Sequence, residues 1–446
     1  MRKKKEEKKV KNVEPSNSLK GMNDIIGEKF YQFQGMFEKA QEIAVYYGFK
    51  PIETPALEKE EVFVRGIGEG TDVIEKEIYS FRTKGGERVA LRPEYTASIM
   101  RSYIENGMNN LPQPVMFYSF GPLWRHDNPQ KGRLREFRQF NLEILGSEKS
   151  IADALVIRTL MTILKEYGFE NLIIDINSMG NKEDRVVFTR ELVAYYKKHS
   201  AKICKDCQSR LLTNPLRLLD CKNEQCQPLK ELAPASINYL STDSKKHFRE
   251  VLQYLEEMGI DYRINNCLVR GLNYYTHTVF EVIKLEKETD AEGKEIEDGK
   301  EKEISITGGG RYNYLAKELG SKKEIPAVGA ALSLDRITLF KECKNLEPKI
   351  IKKPKIYFVQ LGFEAKLKAL TVMEILRENK ISVYQNLSKE SLSAQLAMAD
   401  KMGVPYCIIF GQKEAIDNTA IVRDMKTHSQ EVIPVEELSD YLKKLK

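Results

Sequence analysis

REFRQFNLEIL, residues 135–145, alternates polar and apolar side chains along most of its length. Successive strand side chains point to opposite faces, so Gln139, Asn141 and Glu143 share one face and Phe140, Leu142 and Ile144 the other. The apolar face needs helices to cover it, and the polar face needs solvent or a ligand. The adjoining loop, RHDNPQKGR (125–133), favours a ligand because it sets Arg125, Lys131 and Arg133 beside that face. Arg92-Pro93-Glu94 marks a second strand-to-turn junction with a carboxylate. Fixed cations next to carboxylates suit a ligand that carries both a phosphate and an amine.

The flanking sequence supplies the layers this strand needs. Apolar residues at 30, 33, 37, 40, 44 and 47 predict a helix, stopped by Gly48 and Pro51. Residues 151–167 predict a second helix, ended by Gly168, and 115–120 a partner strand. Residues 184–262 read as an inserted, mainly helical region. Strand-like sequence returns over 268–283, followed by KLEKETDAEGKEIEDGKEKE (284–303), an exposed hairpin tip or loop almost without apolar residues. A strand then runs from Ile304 into Gly308-Gly309-Gly310, and AVGAALSLDRI (327–337) suits a strand entering a helix. Residues 1–14 read as a basic disordered tail, 15–345 as the main domain and 346–354 as a linker. Beyond it, apolar runs at 356–359, 381–384 and 406–410 alternate with helical patterns, which predicts a small α/β domain over 355–446 with a partly parallel sheet.

Composition narrows the function classes. A chain of 446 residues with 41% hydrophobic and 30% charged residues can bury its own cores without disulfides or metals. No run reaches the ~18–20 apolar residues that span a bilayer, and MRKKKEEKKVKN lacks the apolar centre of a secretory signal. The odd count of seven cysteines argues for reduced thiols and a cytoplasmic setting. The net charge of +6 permits a polyanionic partner without demanding one. No GxxxxGK[ST] occurs, nor a strand–GxGxxG–helix unit, so any ATP must be held by arginines on an antiparallel sheet. Cys204, Cys207, Cys221 and Cys226 make C-x2-C-x13-C-x4-C, a spacing that suits a structural Zn2+ site or four ordinary thiols of a helical insertion. Cys267, Cys343 and Cys407 read as buried or incidental.

Seven strings, in order, carry a family resemblance: GEGTDVIEKEIYSF (68–81), LRPEYTA (91–97), FGPLWRHDNPQKGRLREFRQ (120–139), LVRGLNYYTHTVFE (268–281), GGGRYN (308–313), ALSLDRI (331–337) and IVRDMKTHSQ (421–430). Together they resemble the histidyl-tRNA synthetase family of class II aminoacyl-tRNA synthetases. The resemblance implies an α+β fold: a six-stranded antiparallel catalytic sheet flanked by helices, an inserted helical region and a C-terminal α/β anticodon-binding domain. It also implies a homodimer that uses ATP and Mg2+ to join L-histidine to histidine tRNA. By the same resemblance Arg125, Arg270 and Arg336 are catalytic and hold ATP. Glu94, Tyr95, Thr96 and Gln139, together with Arg125 and Arg270, meet the histidine amino and carboxylate groups. Glu143, Tyr274, Tyr275 and Tyr312 surround the imidazole, Gln130 approaches the acceptor end of the tRNA, and Arg423 is a candidate in the C-terminal domain.

The sequence departs from the family pattern at Tyr95 and Ser333 (usually glycine), Asn273 (usually aspartate), Asn313-Tyr314 (usually Asp-Gly) and Asp127-Asn128 (usually Glu-Arg). The competing reading is a non-catalytic paralogue, either a regulatory subunit of histidine biosynthesis or a tRNA-binding module. The presence of residues 355–446 and the retention of Arg125 and Arg336 weigh against it.

Overall fold

The alternation in residues 135–145 becomes the strand Glu136–Leu145, which pairs antiparallel with Val115–Trp124 on one side and Ala327–Ser333 on the other. The computed structural model describes residues 16–130, 132–286, 302–346, 348–349 and 354–445. From Val115–Trp124 the sheet continues antiparallel through Glu136–Leu145, Ala327–Ser333, Lys302–Arg311, Thr276–Glu286 and Leu172–Ser178. The expected six-stranded sheet is therefore present. Two short parallel strands, Lys50–Pro51 and Tyr262–Ile264, extend it to eight.

Phe140, Leu142 and Ile144 are buried under helices Glu28–Tyr46, Ser150–Glu166 and Thr242–Glu257. Each such side chain contributes about 1.5–3 kcal/mol by leaving water. This core fills one face of the sheet and leaves the opposite face, with Gln139, Asn141 and Glu143, for the site.

One expectation needs correction. The strand predicted over 268–283 starts only at Thr276. Residues 268–275 form a loop instead, because Asn273 N–H bonds the Ile67 carbonyl and the Asn273 and Tyr275 carbonyls accept from Arg185, not from a neighbouring strand. The inserted region contributes to two cores. Phe188, Leu192, Tyr196, Leu211 and Leu218 share a local core, whereas Phe248, Val251 and Leu255 of its last helix join the main core against the sheet.

The chain divides after residue 347 into two compact units. In the second, Val383–Gln385, Ile356–Gln360 and Tyr406–Phe410 are parallel, and Thr419–Asp424 and Gln430–Pro434 add antiparallel. Helices Phe363–Glu378, Leu392–Lys401 and Val435–Lys444 pack on this sheet. The expected tail over 1–14, Lys131, residues 287–301 of the polar insertion, and residues 347 and 350–353 of the linker lie outside the described residues. Among the described residues no helix is long and apolar enough to cross a membrane.

Candidate active site

On the polar face of the large sheet lies a cavity of about 370 Å³, and Arg125, Arg270 and Arg336 all line it. A neighbouring cavity of about 420 Å³ shares Arg125, Arg133, Gln139 and Arg336, so the two form one elongated cleft. Arg125 leaves the end of the strand Val115–Trp124; its Nε donates to the Pro93 carbonyl at 2.9 Å and its guanidinium lies 5.5 Å from the Phe137 ring centroid. Arg270 donates to Glu281 and sits 5.6 Å from the Tyr275 ring centroid. Burial works against its charge, but Tyr275 and Glu281 more than reverse this and hold the group above its ordinary value. Burial also lowers the Arg336 guanidinium, with Glu281 opposing and Arg133 adding to the shift. Its side chain makes no hydrogen bond among the described residues. An arginine stays cationic under such shifts, so it offers an anion a planar fork of free donors.

The other end of the cavity carries carboxyls. Glu94 stands at the start of helix Thr96–Glu105 and accepts from the backbone N–H groups of Thr96 (2.7 Å) and Ala97 (2.8 Å). Helix N-termini favour such anions. Burial still raises the carboxyl against these hydrogen bonds. The Tyr274 hydroxyl lies 3.5 Å from Glu94, and the Tyr274 and Tyr312 rings meet edge to face at 5.5 Å. Thr96, Gln139, Tyr274, Tyr275 and Tyr312 also line the cavity.

Glu143 sits one layer behind that wall, accepting from the Thr96 hydroxyl at 2.7 Å and from the Tyr312 hydroxyl. The cavity-lining residue in front of it is Gly329, where an added Cβ would fall 1.7 Å from Glu143 Oε2. Gly308 serves Arg270 in the same way, since a Cβ there would come within 2.7 Å of its Nη1. The glycines predicted as a strand feature are therefore flat spots that let functional side chains approach the sheet.

Tyr95 is a correction. It precedes the helix between two cavity residues, but its ring turns the other way. It packs with Ile99, Met100 and Tyr103, and the Arg92 guanidinium lies 4.3 Å from its centroid. An aromatic ring at this point is more stable in the apolar core than beside the carboxyls. Gln130 is exposed on the outer loop, bridged to Arg133, and lines neither cavity.

Burial pushes the Glu143 carboxyl up to about 8, against the hydrogen bonds from Tyr312 and Thr96 and aided by Glu94. An unfolded glutamate ionises near pH 4.5. Between these values the unfolded chain gives up a proton that the folded chain keeps, so folding is penalised increasingly as pH rises through that window. Glu143→Gln has no such proton to lose. It is expected to gain about 1–3 kcal/mol over the native chain at alkaline pH and nothing in acid. Urea midpoints measured on both sides of the window check this; equal shifts at both pH values would refute it.

Several residues that sequence reasoning passed over hold the loop 268–275. Arg185 Nη1 donates to the Asn273 and Tyr275 carbonyls at 2.7 and 3.2 Å. Asn273 uses both ends of its amide: Nδ2 donates to the Glu69 carbonyl (3.2 Å) and Oδ1 accepts from Asn214 (3.0 Å). An aspartate could make only the second bond, so this departure from the family pattern is matched by its surroundings. Tyr314 similarly accepts from the Lys182 N–H at 3.3 Å, and Asp127 closes the outer loop on Arg133 at 3.0 Å. Arg311, quoted earlier only as part of GGGRY, is fully buried on Asp153.

A family model described as histidyl-tRNA synthetase matches residues 21–337, the span that builds this cleft. The chain belongs to the histidyl-tRNA synthetase family. A model described as an anticodon binding domain matches residues 355–445. A histidine–tRNA ligase of Desulforamulus reducens is 38% identical over 424 residues, covering 95% of this chain and 98% of that protein. One of Halothermothrix orenii is 39% identical over 426 residues, 96% of this chain and 98% of that one. The crystal structure of apo Staphylococcus aureus histidyl-tRNA synthetase has a TM-score of 0.76 at 31% identity and covers 96% of this chain and 100% of its own. The chain is thus an aminoacyl-tRNA synthetase, and the non-catalytic reading loses its ground.

Proposed function

We propose that this synthetase joins histidine to ATP as histidyl-adenylate and then passes the histidyl group to the 3′ end of histidine tRNA. The observation that carries the residue roles is the meeting of Arg125, Arg270 and Arg336 in one cavity that ends at Glu94 and Thr96. The histidine carboxylate oxygen attacks the α-phosphorus, and the bond to the bridging oxygen of pyrophosphate breaks. Negative charge on the α-phosphate oxygens is met by guanidiniums already in place. Arg125 bridges carboxylate and α-phosphate, Arg270 meets them from the opposite side, and Arg336 holds the adenine and γ-phosphate end. In the second step the tRNA 3′-hydroxyl attacks the carbonyl carbon and AMP leaves.

Glu94, Thr96 and Gln139 receive the amino group. Tyr274, Tyr275 and Tyr312 read the imidazole, with Glu143 acting through the Thr96 and Tyr312 hydroxyls. A pocket that hydrogen-bonds a polar side chain can reject competitors by ~10⁴–10⁵ without editing, because they leave its groups unpaired. Glu281, a carboxylate on the cavity wall, would offer an oxygen to Mg2+, which would supply charge neutralisation for the ATP phosphates.

Gln130 on the exposed loop would meet the extra 5′ guanosine of histidine tRNA. Arg423 and its neighbours in the C-terminal unit would contact the anticodon arm. A cytoplasmic homodimer is the state expected for this work.

The test is ATP–pyrophosphate exchange in the presence of each amino acid, followed by charging of histidine tRNA. Exchange stimulated by histidine alone is expected. Exchange with another amino acid, or with none, overturns the reading.

A further inference from the structure

The cysteines of the inserted region are not used by the chemistry above. Cys204 precedes helix Lys205–Thr213, Cys207 lies in its first turn, Cys221 follows the turn Pro215–Leu218, and Cys226 ends the turn Glu224–Cys226. All four Sγ atoms nevertheless lie within 4.8 Å of one another, with Cys204 and Cys221 at 3.9 Å. A tetrahedral ion with Zn–S bonds of about 2.3 Å sets its sulfurs about 3.8 Å apart. No pair is disulfide-bonded.

Two backbone donors are aimed at this sulfur cluster. Cys204 N–H donates to Cys226 Sγ at 3.3 Å, and Asn223 N–H to Cys221 Sγ at 3.4 Å. Such bonds favour anionic sulfur. Thiols acting as small apolar fillers would instead point their sulfurs at surrounding hydrocarbon. Lys205, Arg210 and Lys222 line the adjoining cleft with Asp206 and Asp220, so cations stand close to a tetrathiolate's surplus negative charge.

We propose that Cys204, Cys207, Cys221 and Cys226 bind one Zn2+ as a tetrathiolate, and that the ion stiffens the segment that props the Arg270 loop. Between Cys207 and Cys221 lie Asn214 and Arg217. Asn214 donates to Asn273 at 3.0 Å, and Arg217 is paired with Asp72, which lines the neighbouring cavity. Tying the two ends of this segment to one ion holds both contacts in register. These residues are positioning residues, since none touches the reacting atoms. The metal site stands independently of the histidine-activation reading; only the kinetic arm of its test rests on that reading.

The full-length chain, purified with thiol reductant and no chelator, is expected to carry about one zinc per chain, released by a mercurial reagent. Co2+ in place of zinc is expected to give the thiolate charge-transfer and visible bands of a tetrahedral site. Cys221→Ser is expected to lose the metal. Cys226→His, which supplies an alternative nitrogen ligand, is expected to keep it and guards against a simple folding defect. Asn214→Ala is expected to retain zinc but raise KM for histidine in pyrophosphate exchange by about tenfold, with kcat much less affected. A native chain with no bound zinc and no cobalt bands, or with the four cysteines in disulfides, overturns the site. Bound zinc with an unchanged histidine KM in Asn214→Ala overturns the coupling. Bound zinc without histidine-dependent exchange would instead sink the functional reading and leave the metal site standing.

Discussion

Arg270→Ala is expected to lower histidine-dependent pyrophosphate exchange by about 10³-fold or more while leaving the chain folded. The two halves of this expectation have separate causes. Activity falls because the guanidinium is a preorganised cation in the cavity that also holds Arg125 and Arg336, and its removal leaves its own side of that cavity without a planar fork of donors. Folding survives because its partner Glu281 is not stranded: its carboxylate is partly open to solvent and still accepts from Ser305 at 3.0 Å. Arg270→Lys keeps the charge but not the planar geometry and should recover only part of the loss. Exchange kinetics with a urea melt of each variant check both halves. A folded Arg270→Ala protein within tenfold of native activity would falsify the assigned role.

The largest stability effect is expected at Arg311, on the opposite side of the same strand system from the chemistry. Arg311 and Asp153 are both fully buried. Arg311 Nε lies 3.1 Å from each Asp153 oxygen, its Nη1 donates to the Ser147 carbonyl at 2.7 Å, and its Nη2 to that of Lys149 at 3.1 Å. His247 Nε2 approaches Asp153 at 3.3 Å. Burial alone would raise the Asp153 carboxyl, but Arg311 and His247 hold it well below the usual carboxylate range.

Arg311→Ala strands this carboxylate and two carbonyls, and should cost about 3–5 kcal/mol. Because the folded-state value of Asp153 lies below its unfolded value, its contribution is present at neutral pH and fades only in acid, below the ordinary carboxylate range. The loss in Arg311→Ala should therefore shrink as the pH falls. Replacing both partners with apolar residues of similar volume, Asp153→Leu with Arg311→Met, should recover most of the loss, since the desolvation of two charges is then removed. Denaturant unfolding of the catalytic unit, followed at neutral and acid pH, measures this; a loss below 1 kcal/mol would show that the pair is not a lock.

The two sites differ in how legible they were. Strand alternation at Gln139 and the strand-to-turn junction at Glu94 make those two legible from local pattern, whereas Thr96 and Tyr312 come only from the strings that carry the family resemblance. Tyr95 was misread because adjacency in a string does not say which way a side chain turns, and an apolar core beneath Arg92 took it. The 268–275 segment was read as strand because its composition is strand-like; Arg185 and Ile67, distant in the chain, claimed its backbone groups instead. Arg311 and Asp153 are separated by 158 positions, and no local pattern announces a pair that far apart.

Local physics within the chain was enough to set the alternating strand, its helical cover, the flat glycine-rich partner strand and the separate C-terminal α/β unit, because each depends on side-chain periodicity and turn chemistry over a few residues. Only the tertiary structure decided which faces those elements turn toward one another. It brought three arginines into one cleft, set Glu143 behind Gly329 and drew four sulfurs together. These arrangements depend on long-range packing, where burial and hydrogen-bond satisfaction are decided jointly by segments that share no neighbourhood in the sequence.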